Sequence, residues 1–418
     1  MNLGFFSFFI IVSLLLWIEF YAYQATKTLL KNINVNKATW IKRIYLFQAL
    51  TIISLVVYAR FIQTGTVAFS FLLTVIFMSY TAKLIGVVFV FIDDIRRVLT
   101  LFFEGRKKRQ ARREAQGKKI SRSEFLARAA VVTATLPIVT MSFGIVSGAY
   151  DYRVRRRKLY LPNLPSGFNG IKIAQLSDIH SGSFFDKKAV NGGIDLLLNE
   201  KPDVIFFTGD LVNNQTKEVN EYFDIFSRIK ADMGVYSTLG NHDYGDYKQW
   251  SSPQAKQQNL QDMMEVHKRL GWNLMMNENI NLKVGSDQIS LIGVENWGAG
   301  RFAKYGDLEK AHLNSEGDVK ILLSHDPSHW DNQVRPNFKD IDLMFAGHTH
   351  GMQLGIEIGD FRWSPSKWIY PQWADLYTQG NHHLYVNRGF GFLGFPGRIG
   401  ILPEITIFEL TNKPALVV

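Results

Sequence analysis

Three apolar runs of membrane-spanning length fall within the first 92 residues. Residues 3–23, LGFFSFFIIVSLLLWIEFYAY, hold one carboxylate; 44–63, IYLFQALTIISLVVYARFIQ, form the second run; the third covers roughly 67–92. At about 1.5 Å per residue, a helix of this length crosses a hydrocarbon layer about 30 Å thick. One such run could be a buried core helix. Three in succession point to a membrane. A fourth segment, 125–148, is richer in small residues and contains Pro137. We read it as a fourth spanning helix; the alternative is an amphipathic surface helix.

Lysine and arginine set the orientation. The loop 24–43 holds five, the loop 64–66 none and the stretch 96–128 twelve. Placing both basic loops inside puts the N-terminus and the C-terminal domain outside, on the periplasmic or extracellular face of an inner cell membrane. One feature opposes this: RVRRRK, residues 153–158, follows the fourth segment. We read that patch as a contact for anionic headgroups. The expected organisation is a three-helix transmembrane module over 1–95, a basic cytoplasmic linker over 96–124, a fourth transmembrane or signal-anchor helix over 125–150, and a large domain over 151–418. Two charges lie within the spans, Glu19 and Lys83. Unpaired charges are costly there, so we expect the two to meet.

The net charge of +10 is unevenly spread. Residues 1–150 carry 19 basic against 6 acidic side chains, whereas 151–418 carry 28 against 31. The large domain is slightly acidic, which excludes a broad nucleic-acid surface. There is no cysteine, hence no disulfide, thiolate metal site or cysteine nucleophile.

Beyond residue 165 short apolar runs alternate with polar, helical stretches. IKIAQLSD (171–178), DVIFFTGD (203–210), GVYSTLGN (234–241), QISLIGVE (288–295), VKILLSHD (319–326), IDLMFAGH (341–348), HLYVNRGFG (383–391) and EITIFEL (404–410) read as strands. KKAVNGGIDLLLNE (187–200) and KEVNEYFDIFSRIK (217–230) read as helices. The alternation predicts an α/β architecture with sheets covered on both faces.

Five of these strands run into metal-ligand chemistry. They end in Asp178 and His180, in Asp210, in Asn241-His242-Asp243, in His325, and in His348-Thr349-His350. Strand C-termini line the ligand crevice of open α/β sheets, so these groups should converge. Asp, His and Asn suit Zn, Mn or Fe. Glycine before several of them lets the backbone turn sharply. Singly, each fragment is commonplace; five in order, each behind an apolar strand, are not.

The set SDIH, GDLVNN, GNHD, SHDP and GHTHG resembles the calcineurin-like metallophosphoesterase superfamily over roughly 165–412. The late YVNRGFG and LPEITIFEL resemble a bacterial membrane-anchored branch often preceded by twin-arginine signals or transmembrane helices. SRSEFLARAA looks like a degenerate signal of that kind, and Met352 stands where the branch usually has glycine. The resemblance implies two packed mixed sheets flanked by helices. It implies two divalent metal ions, one held by Asp178, His180 and His350, the other by Asn241, His325 and His348, with Asp210 bridging. It further implies in-line hydrolysis of a phosphoester or diphosphate by water activated at the metal pair, assisted at the leaving group by His242. Asp243 would orient that imidazole. Arg388 and Arg398 are read as partners of a substrate phosphate or as members of structural salt bridges. The expected substrate is a phosphorylated small molecule or lipid of the envelope. Two alternatives stand beside it: a UDP-2,3-diacylglucosamine diphosphatase of lipid A synthesis, and a non-enzymatic membrane scaffold with a vestigial metal site. The aromatic stretch 361–377 is read as loop packing or as an interfacial rim. His267 and His312 are expected to be solvated, and His329, His382 and His383 are not expected to bind metal.

Overall fold

A computed structural model of the chain describes residues 3–30, 33–59, 67–103, 122–300 and 302–414. The chain divides into two compact units, residues 1–64 with 68–143, and 65–67 with 144–418. Most of the basic linker, 104–121, lies outside the described residues.

The first unit is helical. Helices α1 (Leu3–Leu29), α2 (Val35–Tyr58), α3 (Val67–Phe103) and α4 (Arg122–Val146) are all long and apolar enough to cross a membrane. The third is longer than its apolar run suggests and continues through Asp93, Asp94, Arg96 and Arg97. Ile18, Ile52, Tyr80 and Val87 form the buried centre where α1, α2 and α3 meet. Glu19 and Lys83 pair as expected, and the Tyr45 hydroxyl donates to the second Glu19 oxygen at 2.8 Å. A helix in hydrocarbon cannot solvate a carboxylate, so Glu19 draws its partners from the two neighbouring helices.

The second unit holds two six-stranded mixed sheets. Their strands are β1 (Arg153–Tyr160), β2 (Lys172–Leu176), β3 (Val204–Phe207), β4 (Val235–Ser237), β5 (Trp272–Leu274), β6 (Glu278–Val284), β7 (Asp287–Gly293), β8 (Lys320–Leu323), β9 (Leu343–Ala346), β12 (Asp375–Gln379), β13 (His382–Val386) and β14 (Glu404–Thr411). One sheet has the order β1-β14-β2-β3-β4-β5, the other β12-β13-β9-β8-β7-β6. A separate hairpin pairs β10 (Ile356–Ile358) with β11 (Phe361–Trp363).

Central strands such as β3 and β9 are apolar throughout because both faces are covered. In β3, Val204 and Phe206 enter the core between the sheets, while Ile205 and Phe207 face the helices. In β9, Leu343 and Phe345 share that inter-sheet core, while Met344 and Ala346 face outward into a third cluster. Phe345 packs against Phe206 and Phe408 with ring centroids 5.6 and 5.2 Å apart. Helices α5 (Lys187–Asn199) and α6 (Pro253–Leu270) cover the first sheet through Val190, Ile194, Met263 and Leu270. Asp186 caps α5 by accepting from the Ala189 amide, and Ser252 caps α6 by accepting from Ala255.

Three readings are corrected here. The stretch 217–230 is a 3-10 turn, Thr216–Glu221, followed by one short helical turn, Phe223–Phe226. The basic run RVRRRK is strand β1, paired in parallel with β14. Its charges are neutralised within the fold: Arg155 by Glu357 and Glu404, Arg156 by Glu200, Arg157 by Asp375, Lys158 by Glu409 and Arg153 by Asp151. The run is thus a structural strand, in which Arg153, Arg156, Arg157 and Lys158 still face solvent through surface pairs. His267, expected in solvent, is fully buried on α6 and bonded to Ser237 of β4 at 2.9 Å.

Candidate metal centre

The loops leaving β2, β3 and β4 of one sheet and β8 and β9 of the other meet at one edge. They carry two groups of donors, Asp178 with His180 and His350, and Asp210 with His325 and His348; within each group the ligand atoms lie within 4.8 Å of one another. The groups are adjoining. His180 Nε2 is 3.0 Å from His350 Nε2, and His325 Nε2 is 3.3 Å from His348 Nδ1. Asp210 Oδ2 stands between them, 3.1 Å from His325 Nε2 and 3.5 Å from His180 Nε2. Asn241 adds a neutral oxygen, and its Oδ1 is buried with no hydrogen-bond partner. A buried carbonyl oxygen without a partner is costly, and a cation would satisfy it. The donor set fits a pair of divalent metals.

The backbone is bent to bring these donors together. Asp178, His180, Asp210, His348 and His350 all have φ between 50° and 72°, where non-glycine residues are uncommon. The ligands themselves, more than the glycines before them, make the left-handed turns. Gly209 does supply one, at φ 94°, and a side chain there would strike the backbone of Leu239 and Gly240. Conformational strain of this kind collects at functional sites.

Outer contacts orient the imidazoles. A carbonyl can only accept, so His325 Nδ1–H donates to the Thr208 carbonyl at 2.7 Å, and His180 Nδ1–H donates to Asn213 Oδ1 at 3.1 Å. Both rings therefore turn Nε2 toward the centre. Tyr370 holds His348 Nε2 at 2.8 Å, leaving Nδ1 on the inner side. Arg398 donates to His350 Nδ1 at 3.2 Å, which places the His350 proton on Nε2, beside Asp178. A cation at that nitrogen would need the His350 proton on Nδ1 instead, where Arg398 now donates.

Burial opposes charge on Asp178 and Asp210, but His350 beside the first and His325 beside the second outweigh it and hold both carboxyls below their usual range. Burial pushes the His180 and His348 imidazoles down, toward the neutral form that ligates metal.

His242 lines the same cavity, of about 500 Å³, with Phe302, Met352, Ile369 and Tyr370. Its Nδ1–H donates to the Asn213 carbonyl at 2.6 Å. Asp243 does not orient that ring. Its carboxylate accepts from the amides of Asp210, Leu211, Val212 and Gly240, clamping the ligand loop after β3 to the loop after β4. Arg388 and Arg398 are fully buried. Arg388 is paired with Glu404 and Glu357, and Arg398 bonds the carbonyls of Arg388, Gly389 and Gly391. Their bonds face the protein interior, not an open phosphate site. Asn213, Tyr370 and Thr208 went unrecognised in the sequence. Asn213 lies in the quoted GDLVNN; the other two act through tertiary contact.

His329 stacks on Trp297 and bonds Ser324, and His382 and His383 bond Ile341 and Thr378. None of the three belongs to a metal-binding group among the described residues.

Comparison with known proteins agrees with this geometry. Residues 171–352 match the calcineurin-like phosphoesterase family, and residues 5–149 match the transmembrane domain described as a probable calcineurin-like phosphoesterase with four spans. A transmembrane protein with a metallophosphoesterase domain from Danio rerio is 30% identical over 66% of this chain and 61% of its own length. The metallophosphoesterase YkuE of Bacillus subtilis is 29% identical over 60% of this chain and 82% of its own. Phosphodiesterase YaeI of Escherichia coli is 26% identical over 70% and 99%. All the strand-end donors described above lie within the matched residues 171–352, and this chain is a membrane protein that carries a calcineurin-like phosphoesterase domain.

Proposed function

We infer that this chain is a metal-dependent phosphohydrolase that cleaves a phosphoester or diphosphate bond in an envelope or lipid-linked substrate, with its catalytic domain on the outer side of the membrane. The observation that carries the reading is the convergence of six His and Asp donors at one cavity, whose wall also includes Asn241 with its buried, unpartnered Oδ1. Asp178, His180 and His350 would hold one divalent cation, and Asn241, His325 and His348 the other, with Asp210 shared. The pair, drawn from Mn, Fe or Zn, would supply Lewis-acid stabilisation of phosphoryl charge and an activated water at neutral pH.

The chain's own residues do the rest. His242 commits Nδ1 to the Asn213 carbonyl, so Nε2 is the nitrogen left to exchange a proton with the leaving oxygen. Asp243 keeps the loops of Asp210 and Asn241 in register through their amides. The apolar side chains of Phe302, Met352 and Ile369 in the cavity wall suit a substrate with an apolar portion.

The test uses full-length protein in detergent. Hydrolysis of an aryl phosphodiester, an aryl phosphomonoester and a lipid-linked diphosphate is followed with Mn²⁺, with chelator, and after Mn²⁺ is restored. Turnover of at least one probe should vanish with chelator and return with metal. Metal-loaded protein inert toward all three would leave the scaffold reading in its place.

A further inference from the structure

The hairpin β10–β11 is built inside out. Residues in strand register share a face, so Ile356 pairs with Trp363 and Ile358 with Phe361, while Glu357 pairs with Arg362 on the other face. The charged face is the anchored one. Glu357 accepts from Arg388 at 2.6 Å and from Arg155 at 2.6 Å, and Arg362 pairs with Asp375 at 2.8 Å. The apolar face is the exposed one, with Ile358 72% and Phe361 61% accessible. Two-stranded ribbons normally bury the apolar face and solvate the charges, so this one has been turned outward against the hydrophobic effect.

The exposed strip extends beyond the hairpin. Met352, Leu354, Ile356 and Ile358 alternate along one run, all exposed, and Trp368 and Ile369 stand exposed further on. Trp363 and Trp368 rings touch edge to face at 5.8 Å, and Lys367 is exposed beside them. One end of the strip is the metal cavity, whose wall includes Met352 and Ile369. The other is the hairpin tip at Gly359 and Asp360.

Its occupant follows from where the chain enters this unit. The final turn of α4, residues 144–146, belongs to the same compact unit as the sheets. There the Gly144 carbonyl accepts from the Arg398 amide at 3.1 Å, and the next residue, Ile399, bridges to Leu354 of the strip. Within this unit, the point where the chain leaves α4 therefore lies against the loop 398–399, which neighbours Leu354 of the exposed strip. Tryptophan with lysine beside exposed aliphatics is the composition that settles at a bilayer interface. We propose that the face formed by Met352–Ile358, Phe361, Trp368 and Ile369 is a bilayer-docking surface, which inserts into the outer edge of the hydrocarbon and presents the metal cavity to groups at headgroup level. This extends the phosphohydrolase reading but does not depend on it.

The chain has no native cysteine, so single-site labelling is clean. Full-length Ile358→Cys and Phe361→Cys carry an environment-sensitive fluorophore and are reconstituted into phosphatidylethanolamine–phosphatidylglycerol vesicles. Ser286→Cys is the control, an exposed turn between β6 and β7 at the sheet edge away from the metal ligands. Nitroxide on the lipid acyl chain should quench the labels at 358 and 361 about threefold or more beyond the label at 286. In vesicles, iodide in solution should reach the label at 286 and not those at 358 and 361. Equal lipid quenching at the three sites overturns the proposal. So do labels shielded from iodide yet untouched by the lipid nitroxide, because a second copy or another protein would then be the cover. No arm requires turnover, so an inactive preparation would count against the phosphohydrolase reading alone.

Discussion

Asn241 and His242 are adjacent in sequence, yet their surroundings assign them different work. Asn241 has a buried oxygen with no partner, whereas His242 is tied by Nδ1 to Asn213 and lines the cavity. Asn241→Ala should therefore lower metal stoichiometry from two toward one per chain, measured by elemental analysis of purified protein. His242→Ala should leave stoichiometry unchanged and lower turnover by roughly 10²–10⁴-fold, the usual range for a lost general acid. If His242→Ala strips the metal, or retains full turnover, its assignment fails. The donors were legible in sequence because each follows an apolar strand, and strand ends are where the fold collects ligands. Asp243 was misread for an instructive reason. Proximity in sequence suggested that it serves His242, but the tight turn points its carboxylate back onto four amides.

At the scale of elements, long strands and spanning helices declared themselves, and short or polar pieces did not. Helix α6 has many polar residues; the sequence places His267 on a helical stretch but without its bounds, although Ser252, Pro253 and Gly271 mark both ends. Its buried His267 carries a testable consequence. Burial pushes this imidazole down to about 3, against 6.5 for the free side chain. Between those values the unfolded chain takes up a proton that the native state refuses, so stability falls as pH falls below 6.5. The loss should reach about 2 kcal/mol by pH 5, read as a falling melting temperature of the detergent-solubilised protein. His267→Gln keeps a polar partner for Ser237 and should flatten that part of the pH profile. An unchanged slope would place the acid sensitivity elsewhere. The helical unit offers a parallel case. Lys83→Met leaves Glu19 with Tyr45 alone and should cost on the order of 1–3 kcal/mol. Adding Glu19→Gln should recover most of it, because a neutral amide needs no counterion. A double variant as unstable as Lys83→Met would show that the pair is not the source of the loss.

For the whole molecule, the open question is which face of the membrane carries the phosphoesterase domain. The loop 24–43 and the stretch 96–128 hold five and twelve basic residues, the loop 64–66 none. With four spans and both basic segments inside, the domain lies outside. One signal opposes this, the basic run 153–158. The five cations of 153–158 are paired with acids in the folded domain, so they are not a free basic patch. Charge pairing after folding cannot undo a decision made during insertion, however, and the insertion machinery meets Arg155 before its partners Glu357 and Glu404 exist. The question therefore turns on whether the fourth segment crosses. Protease added to intact cells with a permeabilised outer envelope should cleave within 151–418 and spare 96–124. Neutralising 106–113 by Lys and Arg to Gln substitutions should invert or scramble that pattern, because those residues supply the retaining charge. Protection of 151–418 in otherwise unaltered cells would mean that 125–148 fails to cross, and would turn the catalytic domain toward cytoplasmic substrates.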